Sequence, residues 1–284
     1  MTELAAARRM KLLEELRRDG TGRELGDYAR AFNVDERTIR RDVDYLQEIV
    51  GGVEQVGLRR GRVYASRSGH GAGYFHDQLA HRLSEKESIA RTVVGSLTDN
   101  LAIALAAGST TYYVAREIRR AYIEEDRPHN LIAFTNSLPA LYELISAGVS
   151  TGVIGEVYNP DDSAFHSHEF RSGFQPSVGI VGASGVVANA VAGSLDLFSH
   201  RAEEAAFLKQ LLLPIPEIYV AVDASKLGRR HPWSFTSNGI LTGKIVRLYT
   251  SAIDDEQRET LDQLTENAHR TGCRFSYMVA ESRQ

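Results

Sequence analysis

The sequence predicts an α/β protein in two parts: a small helical head with a β-ribbon, then a larger body on a mostly parallel sheet. Three observations predict it. Apolar residues in the first fifty positions recur at helical spacing in three short stripes. Gly69, Gly71 and Gly73 then thin out the hydrophobic pattern. Beyond Ser84, short β-like apolar runs alternate with helical patterns, as in a parallel sheet with helices on its faces. The boundaries read this way are a head over residues 1–68, a linker over 69–83 and a body over 84–284.

In the head, Leu4, Met10, Leu12, Leu13 and Leu16 form the first stripe, ending at Asp19-Gly20. Leu25, Tyr28, Ala29 and Phe32 form the second, with Asn33 as a stop signal. Asp35 suits the cap of a third helix, in which Ile39, Val43, Leu46 and Val50 follow one face. Val53–Val56 and Arg62–Ala65, joined by Gly57-Leu58-Arg59-Arg60-Gly61, read as the ribbon. In the body, Ser84 and Glu87 have capping-box spacing ahead of Ile89, Val93, Val94 and Leu97. Strands are expected at Leu101–Ala107, Leu131–Thr135, Ser150–Ile154, Val178–Val181, Ile218–Val222, Ile245–Tyr249 and Phe275–Val279. Helices are expected at Tyr112–Glu124, Ser137–Ala147, Ala202–Leu213 and Asp255–Arg270.

Composition narrows the function classes. The 284 residues are 43% hydrophobic and 25% charged, enough for a sizeable core. No apolar run approaches the ~20 residues of a membrane helix, and the charged N-terminus lacks the apolar middle of a secretory signal. A single cysteine, Cys273, excludes a disulfide framework; it is expected to be buried and inert in a reducing cytoplasm. Net charge is −4, unevenly divided. Residues 1–68 carry 14 Arg or Lys against 12 Asp or Glu, leaving 19 against 25 for the rest. A locally basic head on an acidic body hints at nucleic-acid contact.

The third helix sharpens the hint. Opposite its apolar face it carries Arg37, Thr38, Arg40, Arg41, Asp44 and Tyr45. Two readings stand: a solvated polar face on a helical bundle, or a recognition helix for the major groove. The run Val34–Val43, with Thr38-Ile39-Arg40-Arg41-Asp42 inside it, resembles the DNA-binding head of the DeoR family of bacterial transcription regulators. The resemblance implies a winged helix-turn-helix in which Arg37, Thr38, Arg40, Arg41 and Tyr45 face DNA. Two departures are visible. Asp35 stands where the family usually has Ser, and Gln55–Gly61 replaces an Arg-x-x-Gly-Gly-Ala stretch. Arg59 and Arg60 in that stretch suit phosphates.

In the body, Gly108-Ser109-Thr110-Thr111 follows an apolar strand and opens a helix. It reads either as simple capping or as an anion cradle of backbone N–H groups and hydroxyls. Thr135-Asn136-Ser137, Gly155 and Asp223-Ala224-Ser225-Lys226-Leu227-Gly228 follow later strands. In this order and spacing they resemble the DeoR-family effector domain over roughly residues 84–280, which is similar in fold to ribose-5-phosphate isomerase and glucosamine-6-phosphate deaminase. The resemblance implies a phosphorylated sugar or related metabolite at the strand C-termini. Gly108, Ser109, Thr110 and Thr111 are then expected to hold phosphate, Thr135, Asn136 and Ser137 to contact hydroxyls, and Lys226 to supply a cation. Lys226 also reads as an exposed loop lysine, and Asp223 as a strand terminator holding the Ser225 backbone. Glu156 stands where the family tends to have a second glycine after Gly155. Its carboxylate either points away or accepts bonds from hydroxyls or an amine.

The stretch Ser177–Gly185, where the related isomerases place a carboxylate, holds no Asp, Glu or His. Without that base, turnover is not expected. His166 and His168, lacking a third ligand, read as surface residues; Trp233 reads as a packed anchor or, with His231, as a site liner. Glu203, Glu204 and Lys209 are spaced for ion pairs on a helix. The sequence thus points to a cytoplasmic, cofactor-free regulator. It is expected to repress a carbohydrate-catabolism operon, to bind double-stranded DNA as a homodimer or homotetramer, and to release it on effector binding. The rivals are a sugar-phosphate isomerase or deaminase with an appended DNA-binding head, and an activator or protein-interaction module.

Overall fold

The computed structural model describes residues 8–9, 11–12, 15–16, 23–50, 54–59, 62–67, 75, 78–79, 81–159, 162–167, 175–189, 194–237, 239–270 and 272–281. The chain divides into two compact units, Met1–Tyr74 and Phe75–Gln284.

In the first unit, α1 (Leu25–Ala31) and α2 (Glu36–Val50) are followed by the antiparallel strands β1 (Glu54–Arg59) and β2 (Arg62–Arg67). Residues 8–9, 11–12 and 15–16 are also helical, and Asp19-Gly20 lies outside the described residues. Leu12, Leu16, Leu25, Tyr28, Ile39, Val43, Leu46 and Val63 close one core, so the described residues of the three stripes converge with the ribbon, while Leu4, Met10 and Leu13 lie outside the described residues. Asn33, at φ +51°, ends α1 as expected, and Asp35 Oδ1 accepts from the Thr38 amide at 2.6 Å to cap α2. The ribbon is longer than the sequence pattern suggests: pairing runs to Arg59↔Arg62, so Gly57, Leu58 and Arg59 are strand.

The second unit opens with α3 (Leu83–Gly95). The expected capping box does not form. Arg82 holds φ +54°, the helix starts at Leu83 with no side-chain cap, and Ser84 falls within the first turn. There follow β3 (Ala102–Leu105), α4 (Ser109–Glu124), β4 (Ile132–Thr135), α5 (Leu138–Ser146) and β5 (Ser150–Val153). A hairpin of β6 (Val157–Asn159) and β7 (Ala164–His166) precedes β8 (Val178–Val181), β9 (Gly185–Asn189) and β10 (Ser194–Ser199). The chain ends with α6 (Ala202–Leu212), β11 (Glu217–Ala221), β12 (Trp233–Ser234), β13 (Ile245–Thr250), α7 (Asp255–Arg270) and β14 (Arg274–Val279).

Seven strands form one sheet in the order β14-β13-β11-β8-β3-β4-β5, and every neighbouring pair is parallel. The helices cover both faces. Ile89, Val93, Val114, Ile118 and Leu144 from α3, α4 and α5 pack one side. Phe207, Leu208, Leu211, Leu261 and Leu264 from α6 and α7 pack the other. The run Leu211–Leu213 ahead of Pro214 reads in the sequence as core; Leu211 and Leu212 are buried, but Leu213 is 56% exposed. Two antiparallel additions went unread in the sequence: the β6–β7 hairpin and a three-stranded sheet, β12-β10-β9. Among the described residues, no helix is long and apolar enough to cross a membrane.

Candidate functional site

Strand order places the site. From β3 the chain runs outward through β4 to β5, then returns to β8 on the other side of β3. The order reverses between β3 and β8, and ligands of open parallel sheets bind outside the strand C-termini at such a switch. The loop after β3 is Ala106–Gly108, and the one after β8 is Gly182–Ser184.

The β3 loop leaves the start of a helix open. Gly108 precedes α4 with no side-chain cap, and the first turn holds no acidic residue. The leading N–H groups of a sixteen-residue helix are thus left at its positive end. Thr111 is fully buried and its hydroxyl donates to the Gly108 carbonyl at 3.1 Å. Among the described residues, the Ser109 and Thr110 hydroxyls have no partner.

Thr135, Asn136 and Ser137 are buried and brace the turn. Asn136 Oδ1 accepts from the Ala107 amide at 2.7 Å, while its Nδ2 donates to the Phe165 carbonyl at 3.2 Å. Thr135 Oγ1 accepts from the Ser137 amide, and Ser137 Oγ caps α5 through the Ala140 amide. Gly155, at φ +108°, lies where an added Cβ would come within 2.8 Å of the Phe165 backbone. Glu156 is exposed, and its amide donates to the His166 carbonyl at 2.9 Å.

After β11, Asp223 terminates the strand and accepts from both the amide and the hydroxyl of Ser225, as the sequence suggested. Lys226 is half-exposed in the following turn. Beside it lies a residue that sequence reasoning missed. Lys86 on α3 is 2% exposed, and its ammonium donates to the Gln78 carbonyl. Burial, with neighbouring Lys226 and Arg82, outweighs Asp223 and Glu85 and brings its pKa down to about 8. Glu85 accepts from Ser251 at 2.6 Å, and Ser251 accepts from the Ala224 amide, tying α3 to the ends of β11 and β13.

A second missed group lines the β8 side. Ser184 Oγ and His200 Nδ1 are 2.9 Å apart, and burial holds His200 below the usual histidine range. His166 is not a free surface residue. Its Nε2 is 2.8 Å from Asp162, which raises its pKa, and its ring packs edge-on against Phe207. Arg201 approaches the same carboxylate at 3.6 Å. Glu204, rather than pairing with Lys209, accepts the Ser199 hydroxyl; burial raises its pKa. Trp233 is 49% exposed and is not the packed anchor expected of it. Cys273 is buried, and burial raises its thiol to about 11. His168 lies outside the described residues. Among the described residues, no group of three or more His, Cys, Asp or Glu is placed to hold a metal ion.

In the first unit, α2 presents Arg37, Arg40 and Arg41 as exposed side chains, with Thr38 partly covered. Tyr45 is not freely presented: the Arg9 guanidinium lies 3.7 Å over its ring. Asp42, on the same helix, is 1% exposed and binds Arg8 at 2.5 Å and Arg9 at 2.7 Å. Arg59 ends β1, and Arg60 lies outside the described residues.

Residues 81–243, more than half of the chain, match the model of the DeoR C terminal sensor domain. The chain belongs to this family. The match to the DeoR sensor domain spans the strand-end loops from Gly108 to Lys226. Among curated relatives, the glycerol-3-phosphate regulon repressor of Escherichia coli (strain K12) is 28% identical over 204 residues, 70% of this chain and 73% of that protein. The L-fucose operon activator of the same organism is 32% identical over 114 residues, 40% of this chain and only 42% of the activator. Among solved structures, ribose 5-phosphate isomerase A of Methanocaldococcus jannaschii matches half of the chain and 52% of that protein, at 19% identity and a TM-score of 0.38.

Proposed function

We propose that this DeoR-family protein is a DNA-binding transcriptional regulator of a carbohydrate-catabolism operon, acting as a repressor that a phosphorylated sugar or related metabolite releases. The observation that carries the reading is the Gly108–Thr111 turn: an uncapped helix start with unpartnered hydroxyls at the sheet's switch point, inside a sensor domain. In this reading the turn holds phosphate through its N–H groups, Ser109 and Thr110. Lys226 and the buried Lys86 supply positive charge from the β11 side. Asn136 acts by positioning, since it ties the turn to β7.

The first unit is then a winged helix-turn-helix. Arg37, Arg40 and Arg41 on the exposed face of α2 enter the major groove, where arginine reads guanine in bidentate fashion or holds phosphates. Two copies on paired half-sites supply the contacts that one small head lacks. Effector binding favours the arrangement of the pair that does not fit the operator, and linkage converts that preference into release.

The test has two arms. Arg41→Ala is expected to weaken binding to the upstream DNA in a gel shift at moderate salt while leaving effector-induced thermal stabilisation unchanged. Ser109→Ala with Lys226→Ala is expected to do the reverse: normal DNA binding, no release by the metabolite. Wild-type affinity in the first variant or normal release in the second overturns the assignment. Turnover of ribose 5-phosphate or glucosamine 6-phosphate, with His200 beside Ser184 as the available base, would replace the sensor with an enzyme.

A further inference from the structure

We infer that the edge of the body formed by α5 and β5 is the docking surface for a second copy of this chain. Leu138, Tyr142 and Ile145 recur at i, i+4 and i+7, so they line one side of α5. They are 40%, 73% and 56% exposed, whereas Ala140 and Leu144 on the opposite side are in the core. Val153, 46% exposed, extends the stripe. Its register with Thr135 and the alternation along β5 put it on the sheet face that α5 covers.

Beside the stripe, β5 is the last strand of the seven, so its outer N–H and C=O groups have no neighbour in the sheet. Natural edge strands are blunted by charge, proline or a bulge. Ser150-Thr151-Gly152-Val153 carries no charge and no proline. Glu143, the one charged residue of α5, is turned away, accepting from Tyr112 at 3.0 Å and Arg119 at 3.1 Å on α4.

These features select the occupant. Apolar exposure on the order of several hundred Å² is at the upper end for a monomer and about half of what each partner buries in a stable interface. A partner chosen by charge finds nothing here to pair with. A twofold copy meets an uncharged stripe identical to its own, without like-charge repulsion. It also brings another β5 able to run antiparallel to the first and prolong the sheet. The inference follows from the body's surface alone and holds whether or not the head binds DNA.

The test is the mass of the full chain by light scattering and sedimentation across micromolar concentrations. The wild type is expected to be a dimer or tetramer. Tyr142→Glu, at an exposed position where circular dichroism is expected to report an unchanged fold, should raise the dissociation constant about 30-fold or more and halve the mass at low micromolar concentration. Independently, Tyr142→Cys should form a disulfide-linked dimer under mild oxidation, since the native Cys273 is buried. A monomeric wild type overturns the inference, whether the stripe is then open or covered by another partner. So does a Tyr142→Glu protein that keeps the wild-type dissociation constant. Loss of operator binding in an intact dimer indicts the head and leaves this surface standing.

Discussion

Asp42 and Lys86 are both buried charges, and their consequences run in opposite directions. Asp42 has two arginine partners that are themselves 19% and 16% exposed, so removing its charge strands cations at a partly wet boundary. Breaking a buried pair costs ~3–5 kcal/mol, and the access of water to the arginines brings the expected cost of Asp42→Asn to about 2 kcal/mol. Chemical denaturation of the head is the measurement; an unchanged midpoint would refute the staple. Lys86 is a charge whose burial the protein does not fully compensate. Its folded pKa of about 8 lies below the ordinary 10.5, so the cost is complete below pH 8 and is relieved as pH rises toward 10. Lys86→Met is therefore expected to stabilise the body at pH 7 by about 2 kcal/mol, allowing for the lost bond to Gln78. That advantage should shrink by pH 10. A pH-independent difference in urea midpoints would show that desolvation is not the cause.

Among elements, the β6–β7 hairpin is the piece on which the candidate site leans. Gly155 holds φ +108° against the Phe165 backbone, and the Phe165 amide donates to the Asn136 carbonyl at 2.7 Å. Gly155→Ala adds both backbone strain and a clash, with an expected cost of about 2 kcal/mol. The hairpin should be displaced before the sheet is, so amide exchange should quicken at Phe165 while β3 and β8 stay protected. Uniform protection would argue that the hairpin is no support. This element also marks where legibility in the sequence stops. The sheet and its helices were readable because each buries one face or a whole run, as in Val178–Val181 or the Ile39–Leu46 stripe. The added antiparallel strands set no period: β6 is largely exposed, while β10 is buried from Leu195 to Ser199 with Asp196 and Ser199 breaking its apolar run. The Ser84–Glu87 capping pattern misled because the left-handed Arg82 takes the cap position and starts α3 two residues early. In the site, the contiguous Gly108–Thr111 turn was legible. Lys86 and the Ser184–His200 pair come from segments that only the fold brings to the strand ends, while Asp162 and His166, four residues apart, meet through a hairpin that sets no sequence period.

At the scale of the whole molecule, charge is divided by part: the first 68 residues have a small positive excess and the rest is acidic. In the proposed reading the acidic body repels the DNA backbone, so net charge cannot drive operator binding, and affinity comes from the few arginines that α2 leaves exposed. Arg8 and Arg9 do not count among them, since both are held by Asp42. That leaves Arg37, Arg40 and Arg41, or about six cations in a dimer. Each phosphate neutralised contributes about −0.9 to the slope of log affinity against log salt, which gives a slope near −5. Raising salt from about 50 to about 200 mM should then weaken operator binding about 10³-fold. Arg40→Ala, which removes two cations per dimer, should flatten the slope by nearly 2. Gel-shift titrations at four salt concentrations decide the matter. A slope near zero would mean that α2 does not face DNA, and one near −10 would mean that cations beyond this helix, with the ribbon as the nearest source, carry much of the contact.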